Sequence, residues 1–387
     1  MKKLGLFFPL IALVLVSCLS VRHQSIYPLP GGYSYFVPRT LDDGLATGSI
    51  EGTLFDADRM LKLNAFFAKL KQGVFGEIHS VLMVHKGVLV LEEYFPGFRF
   101  KGGKTDFTAS DLHHLASVTK SITSLCVGIA LDKGYIKSID QPFLDFYPGV
   151  PMPDREKKQD ITIRHLLTMT AGMEWDESTY PYTDLRNDVV QFYISRDPLR
   201  FLLDRKAVAP PGSRWIYSGA YPNLLGDIVH RSSGYTLDKF AAEFLYKPLG
   251  ITAYSWITLN KGFIYASGDA ELRPRDMAKI GQLVLNGGVW NGRSVISRKW
   301  LELSMQAAAQ ANPRNMYGFM WWLPILPGSA AESLGPLYMA SGWGDQYIVI
   351  VPKLDLVLVI TGGNYESTAA GTVPILNYML DTLFLPH

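Results

Sequence analysis

Apolar residues recur at three- and four-residue spacing in several stretches of the chain, which is the period of an α-helix with one buried face. One such face follows Ser117 and includes Val118, Ile122 and Leu125, and Gly134 lies where that helix would stop. Ser117 would then stand in the first turn of this helix. The same pattern predicts further helices at residues 57–73, 275–285 and 373–383.

Short apolar runs between turn residues predict strands at residues 80–84, 88–94, 317–323, 346–351 and 356–361. Between residues 161 and about 259, helical patterns and loops predominate without a strand pair, which indicates a helical insertion. Strands from both ends of the chain can therefore share one mainly antiparallel sheet with helices on its faces. This order predicts an α+β fold of three layers, α/β/α.

Composition narrows the possible partners. The chain has 387 residues and a net charge of +2, from 37 basic and 35 acidic side chains, and this balance gives no electrostatic argument for nucleic-acid binding. Its two cysteines, Cys18 and Cys126, cannot form a disulfide framework. Cys126 lies on the apolar face of the helix after Ser117, so we expect a buried thiol.

The N-terminus predicts export. Two lysines precede an apolar run, residues 4–16, which is short for a membrane span, and the run ends in Leu15-Val16-Ser17-Cys18. This ending resembles the lipobox of bacterial lipoproteins, which implies a signal peptide at residues 1–17 and lipidation of Cys18. An ordinary secretory signal and an uncleaved anchor are the alternatives. We therefore expect an extracytoplasmic, membrane-anchored lipoprotein, at the periplasmic face or the cell surface, with an extended tether at residues 18–56.

Ser117-Val118-Thr119-Lys120 places a lysine one helical turn after a serine. A serine hydroxyl becomes a useful nucleophile when a neighbouring base takes its proton, and a desolvated lysine can act as that base. The alternative is an N-cap serine beside a solvated lysine. A third proton-transfer group could be Tyr217, which precedes a predicted helix, or Tyr217 could simply pack in the core.

The chain resembles the β-lactamase-related serine hydrolases, a family that includes class C β-lactamases, D-alanyl-D-alanine peptidases, esterases and 6-aminohexanoate-dimer hydrolases. The resemblance covers about residues 75–385, within a predicted hydrolase domain at 57–387, and implies a β-lactamase/transpeptidase-like fold. It rests on motifs in the family's order: Ser117-Val118-Thr119-Lys120, residues 163–172, Pro211-Gly212, Trp215-Ile216-Tyr217-Ser218, Leu224-Leu225-Gly226, Lys247-Pro248-Leu249-Gly250, residues 275–279 and Ser341-Gly342-Trp343-Gly344.

The resemblance implies a role for each matching residue. Ser117 would be the acylated nucleophile, Lys120 its base, and Tyr217 the group that moves protons to the leaving group and from water. The main-chain N–H groups of Ser117 and Trp343 would form the oxyanion hole. Substrate would contact the strand motif that contains Ser341 and Gly342.

Two positions depart from the lactamases and peptidases of this family. Gly219 replaces an asparagine that helps to hold the acyl amide, and Ala340 replaces a lysine or histidine that helps to bind the substrate carboxylate. These departures favour an esterase or amidase of the aminohexanoate-type branch over a β-lactamase or carboxypeptidase. Trp175 and Tyr180 resemble residues that line the pocket in that branch, although they could equally be ordinary loop aromatics.

Other classes of function have weaker support. A Ser-His-Asp hydrolase would need a Gly-x-Ser-x-Gly elbow, which does not occur, although His113 and His114 precede Ser117 closely. A non-catalytic binding lipoprotein remains an alternative, but the catalytic motifs are retained. The expected substrate is a small ester, amide or peptide-like molecule. No cofactor is implied, and no metal-binding motif occurs in the sequence; the sequence leaves the oligomeric state open.

Overall fold

The computed structural model describes residues 27–28, 33–365 and 374–385. Its strands are β1 Tyr27–Pro28, β2 Ser34–Tyr35, β3 Ala46–Thr47, β4 Ile78–His85, β5 Val88–Tyr94, β6 Pro96–Phe98, β7 Lys104–Asp106, β8 His113–His114, β9 Tyr254–Trp256, β10 Ala270–Leu272, β11 Val289–Trp290, β12 Arg293–Ser294, β13 Ala309–Asn312, β14 Asn315–Tyr317, β15 Trp322–Pro324, β16 Tyr338–Gly342, β17 Gln346–Val351 and β18 Leu356–Gly362.

Helices cover both faces of the main sheet and form the insertion. They are α1 Ala57–Lys71, α2 Val118–Asp132, α3 Arg155–Lys158, α4 Ile163–Leu167, α5 Asp188–Ile194, α6 Pro198–Leu203, α7 Ala220–Ser233, α8 Leu237–Ala241, α9 Pro274–Leu285, α10 Arg298–Ser304, α11 Gly328–Leu334 and α12 Pro374–Met379. No helix in the described ranges is both long and apolar enough to cross a bilayer.

The main sheet has nine strands in the order β13-β14-β15-β16-β17-β18-β4-β5-β3. All neighbours are antiparallel except β3, which runs parallel to β5. The hairpin between β4 and β5 turns at Lys86 and Gly87, whose φ values of 50° and 76° suit a two-residue type I′ turn. Strands from the two ends of the chain therefore meet at β18 and β4, as the sequence predicts.

The sheet is buried on both faces. Along β18, Val357 and Val359 belong to one apolar cluster, whereas Leu356, Leu358 and Ile360 belong to another. Because successive side chains of a strand point to opposite faces, this alternation separates two cores. Helices α2 and α9 pack in the first core and α1 and α12 in the second, which confirms the three-layer α+β fold.

Helix α2 runs through the interior. Nearly all its side chains are buried, including Cys126, so the expected buried thiol is confirmed, and burial raises the pKa of that thiol. At Gly128, a Cβ atom would lie 2.4 Å from the Trp300 ring of α10, and this contact needs a glycine. A helix held on all sides in this way fixes the position of Ser117 at its N-terminus.

One sequence prediction is wrong in detail. The single strand expected at 317–323 is two strands, β14 and β15, because Gly318 and Met320 form a turn in which Met320 has a φ of 63°. The region 161–259 holds one strand, β9, but no strand pair within its bounds, because β9 pairs with β10 beyond it, and β10 pairs with β8 just before Ser117. The end of the insertion is thereby joined to the segment that leads to the serine.

The N-terminal segment that the sequence predicts to be extended packs against the domain from residue 33 onward. Tyr35 is fully buried, and its hydroxyl donates a hydrogen bond to the Val90 carbonyl at 2.8 Å. Asp43 pairs with the buried Arg275 of α9 at 3.0 Å. Residues 1–17 and Cys18 lie outside the described residues, so the signal peptide and the lipid anchor stay predictions.

Candidate active site

The backbone turns sharply just before Ser117. Ala116 has a φ of 44°, in the left-handed region that residues with a Cβ seldom adopt. Hydrogen bonds on either side hold this turn, from Val118 N–H to the Leu115 carbonyl and from Thr119 N–H to the Ala116 carbonyl, both at 3.1 Å. The Ser117 side chain makes no capping bond to the helix. Its hydroxyl is therefore left for other partners.

Lys120 provides that partner. Its side chain is only 4% exposed, and its Nζ lies 2.7 Å from Ser117 Oγ and 2.9 Å from the Ser267 carbonyl oxygen. The alternative of an N-cap serine beside a solvated lysine is therefore wrong. In its neutral form the amine can accept the hydroxyl proton while an N–H still donates to Ser267.

Tyr217 lies on the loop before α7 and faces the same lysine. Its ring centroid is 4.9 Å from Lys120 Nζ, within the range of a cation–π contact. The ring also packs against Trp215 and Trp322, with centroid distances of 6.0 and 5.6 Å. The structure thus brings Tyr217, from one motif, to the Ser117–Lys120 pair of another.

The end of β16 approaches the serine closely. A Cβ atom at Gly342 would lie 2.4 Å from the Leu115 carbonyl oxygen and 3.1 Å from Ser117 N, so only glycine fits here. The main-chain N–H groups of Ser117 and Trp343 donate to no other described residue. Two unpaired N–H groups on neighbouring segments are the donors that a developing oxyanion needs.

A buried glutamine holds the turn after β16. Gln346 is fully buried, and its Nε2 donates to the Gly344 carbonyl at 2.9 Å and to the Gly362 carbonyl at 2.7 Å. These bonds tie the turn that carries Trp343 to the end of β18. The turn is therefore rigid without help from a substrate.

Aromatic rings surround Trp343, which follows Gly342 at the point where β16 approaches Ser117. Trp343 is 36% exposed, and its ring centroid lies 5.1 Å from those of Tyr182 and Tyr365 and 6.0 Å from that of Phe100. An exposed group of rings next to free N–H donors can hold an apolar part of a substrate.

The sequence also predicts substrate contacts for Trp175, Tyr180, Ser341 and Gly342, which lie in three different parts of the structure. Trp175 is buried, and its indole N–H donates to Glu177 at 2.6 Å. Tyr180 packs instead under the Arg186 guanidinium, 4.1 Å from the ring centroid. Ser341 and Gly342 lie on β16, paired with Tyr347 and Gln346. Whether any of them contacts substrate stays a prediction.

The histidines near Ser117 have other partners. His113 Nε2 lies 2.7 Å from His79 Nδ1, and the other nitrogen of His79 lies 2.7 Å from Glu77. His114 Nε2 lies 2.6 Å from Asp269. Because these contacts use the histidines away from the serine, the arrangement does not support a Ser-His-Asp site.

Burial and the neighbouring His79 lower the pKa of His113 to about 3. A histidine with a folded pKa below its unfolded value binds fewer protons in the folded state, so the free energy of unfolding falls as pH drops from about 6.5 towards 3. One such group contributes a slope of up to about 1.4 kcal/mol per pH unit. We expect His113→Gln to flatten this slope in urea titrations between pH 3 and 7. Equal slopes for the variant and the wild type would contradict the prediction, and exposed His230→Gln is the control.

In the described ranges, no group of three or more His, Cys, Asp or Glu side chains is placed to hold a metal ion.

Sequence reasoning missed two polar residues that support the site, Asn223 and Gln346. Asn223 donates to Ser267 Oγ at 2.9 Å and to the Gly219 carbonyl at 2.7 Å. The sequence feature that could have indicated Asn223 is its position in the first turn of the helix that follows Tyr217. For Gln346, only its position four residues after Gly342 could have suggested a role.

Residues 79–370 match the protein-family model described as Beta-lactamase. This range is most of the chain, so the protein belongs to the Beta-lactamase family, and its fold is that of the family's serine hydrolases. The chain is 24% identical to the 6-aminohexanoate-dimer hydrolase of Paenarthrobacter ureafaciens over 328 residues. This alignment covers 78% of each chain.

Solved structures share the fold. EstCE1, a hydrolase with promiscuous acyltransferase activity, superposes with a TM-score of 0.68 at 15% identity, over 84% of this chain and 98% of that one. A family VIII carboxylesterase gives a TM-score of 0.65 at 18% identity, over 86% and 98% of the two chains. At such identities the likeness concerns the fold alone.

Proposed function

We propose that this protein is a serine hydrolase that forms an acyl-enzyme at Ser117 and acts on an ester or an amide. The observation that carries the proposal is the distance of 2.7 Å between Ser117 Oγ and Lys120 Nζ, in a site where the lysine is buried. The name of one relative, a 6-aminohexanoate-dimer hydrolase, supports an amidase, and the fold shared with a carboxylesterase is compatible with an esterase.

The reaction has two halves. Ser117 Oγ attacks the acyl carbonyl carbon as its proton passes to Lys120, and the N–H groups of Ser117 and Trp343 stabilise the oxyanion. The bond to the leaving group breaks, and the leaving group receives a proton through Lys120 and Tyr217. Water then attacks the acyl-enzyme, gives up its proton along the same route and releases the acid, which regenerates the serine.

The charges near Trp343 favour a substrate without a carboxylate. Ala340 is fully buried and supplies no cation. On the loops beside Trp343, Lys101 lies 3.8 Å from Asp269, and Arg186 lies 2.6 Å from Asp184. Both pairs are solvent-exposed and weak, so the argument rests on Ala340, where no cation is present to anchor the carboxylate of a β-lactam or a D-alanine terminus.

This proposal is tested by comparing turnover of p-nitrophenyl butyrate and of the β-lactam nitrocefin by the same purified protein. We expect clear ester hydrolysis and a nitrocefin kcat/KM at least about a hundredfold lower, the loss expected when a site lacks the polar partners of a substrate. Comparable turnover of both substrates would favour a β-lactamase, and turnover of neither would favour a binding protein.

A further inference from the structure

The space at Gly219 is already filled. A Cβ atom at this position would lie 3.1 Å from Glu177 Oε2, 3.3 Å from Ser267 Oγ and 3.3 Å from the Trp175 ring. The related lactamases carry an asparagine here, but in this protein a carboxylate from a loop far away in sequence occupies the volume that such a side chain would enter. The missing asparagine therefore leaves no vacant space behind.

Glu177 is held rigidly. Its side chain is 7% exposed, and Oε2 accepts hydrogen bonds from the Trp175 indole at 2.6 Å and from the Gly219 N–H at 2.7 Å. Two short N–H bonds to one oxygen suit an ionised carboxylate, which accepts hydrogen bonds and donates none. No hydrogen bond from a described residue occupies Oε1, which remains an acceptor.

The carboxylate is close to the reacting groups. Asn223 bridges Gly219 and Ser267, and the carbonyl of Ser267 is bonded to Lys120. Tyr182, on the same loop as Glu177, packs its ring against Trp343. Glu177 is thus connected to Lys120 through Gly219, Asn223 and Ser267, and to the rings around Trp343 through its own loop.

We propose that Glu177 is a specificity-determining residue that directs the site towards acyl groups without an amide next to the scissile carbonyl. The inference rests on the hydrolase function proposed above. An amide carbonyl in the acyl group needs an N–H donor, which an asparagine would supply. Here it would meet a carboxylate, which repels it and leaves it without a hydrogen bond once water is excluded. A plain alkyl acyl group loses nothing at this wall.

The test compares two esters with one leaving group: p-nitrophenyl pentanoate and p-nitrophenyl N-acetylglycinate, which places an amide beside the scissile carbonyl. The variant is Glu177→Gln, which keeps an oxygen for Trp175 and Gly219 and adds an N–H donor. We expect the wild type to prefer the pentanoate. In the variant, the ratio of the kcat/KM value for the acetylglycinate to that for the pentanoate should rise at least about tenfold. This is the change that the free energy of one buried hydrogen bond would produce.

Glu174→Gln is the matched control. Glu174 is on the same loop, and its carboxylate accepts a hydrogen bond from the Lys206 N–H at 3.1 Å instead of facing Gly219. Its ratio should equal that of the wild type. A wild-type ratio in a folded and active Glu177→Gln protein would overturn the inference and leave the hydrolase function intact. Absence of ester turnover in the wild type would overturn both.

A second variant keeps the inference testable if Glu177→Gln does not fold. The double change Glu177→Ala with Gly219→Asn removes the carboxylate and supplies the amide from the opposite side. It should shift the ratio in the same direction, whereas Gly219→Asn alone should lose activity on both esters because its side chain meets Oε2. A double variant that keeps the wild-type preference would contradict the proposal.

Discussion

Ser117→Ala is expected to lower ester kcat/KM by about 10³- to 10⁶-fold, the range seen when a hydrolase loses its nucleophile. Folding should hardly change, because the Ser117 hydroxyl does not cap α2 and Lys120 keeps its bond to the Ser267 carbonyl. We expect the free energy of unfolding to change by about 1 kcal/mol or less. Turnover assays and urea denaturation on the same preparation measure both effects.

Ser121→Ala is the matched control, one turn further along the same helix. Ser121 is buried, and its Oγ donates to the Met320 carbonyl at 2.6 Å, away from Lys120. Its loss leaves a buried carbonyl unpaired and should cost about 1–3 kcal/mol of stability. Catalysis should stay within a few-fold of the wild type. The assignment of Ser117 fails if the two variants lose activity equally.

Lys120→Met is expected to lower kcat/KM by about 10²- to 10⁴-fold, the usual contribution of a positioned acid or base. Methionine has a similar length and brings no charge into a site where the side chain is 4% exposed. Ser117 would then lack a base 2.7 Å from its hydroxyl. Steady-state kinetics on p-nitrophenyl butyrate, with circular dichroism to confirm folding, measures the effect.

Lys158→Met separates this effect from the general loss of a buried lysine. Lys158 is fully buried and donates to the Leu203 carbonyl at 2.9 Å, and burial lowers its pKa to about 8. It ends α3, just before the helical insertion begins, and no hydrogen bond joins it to Ser117. Its replacement should alter stability and leave kcat/KM within a few-fold. Similar losses in both lysine variants would refute a catalytic role for Lys120.

The sequence predicts the framework of the site because its signals are local. The apolar period after Ser117 gives α2, which begins at Val118, and the strand runs at 346–351 and 356–361 appear as β17 and β18. The spacing of Ser117 and Lys120 is one helical turn, so their contact follows once the helix is recognised. The burial of Lys120 did not follow from the sequence, which left a solvated lysine open, because it depends on the distant Ser267 segment that packs against the helix.

Features that depend on contacts between distant segments could not be predicted. Glu177 fills the space beside Gly219, across 42 residues of chain, and no local pattern indicates that pairing. The strand at Tyr254–Trp256 is three residues long and gains its partner only through folding. The turn at Gly318, where a Cβ would lie 2.2 Å from the Ser304 carbonyl, interrupts an apolar run that otherwise resembles a single strand.

The central claim, that Ser117 is a nucleophile activated by Lys120, is tested most directly by mass spectrometry after treatment with a fluorophosphonate, which phosphonylates activated serines. We expect one adduct on the intact protein, mapped by peptide digestion to Ser117 and absent from Ser117→Ala. Lys120→Met should label far more slowly. An adduct on another residue, or an unlabelled protein that still hydrolyses esters, would contradict the account.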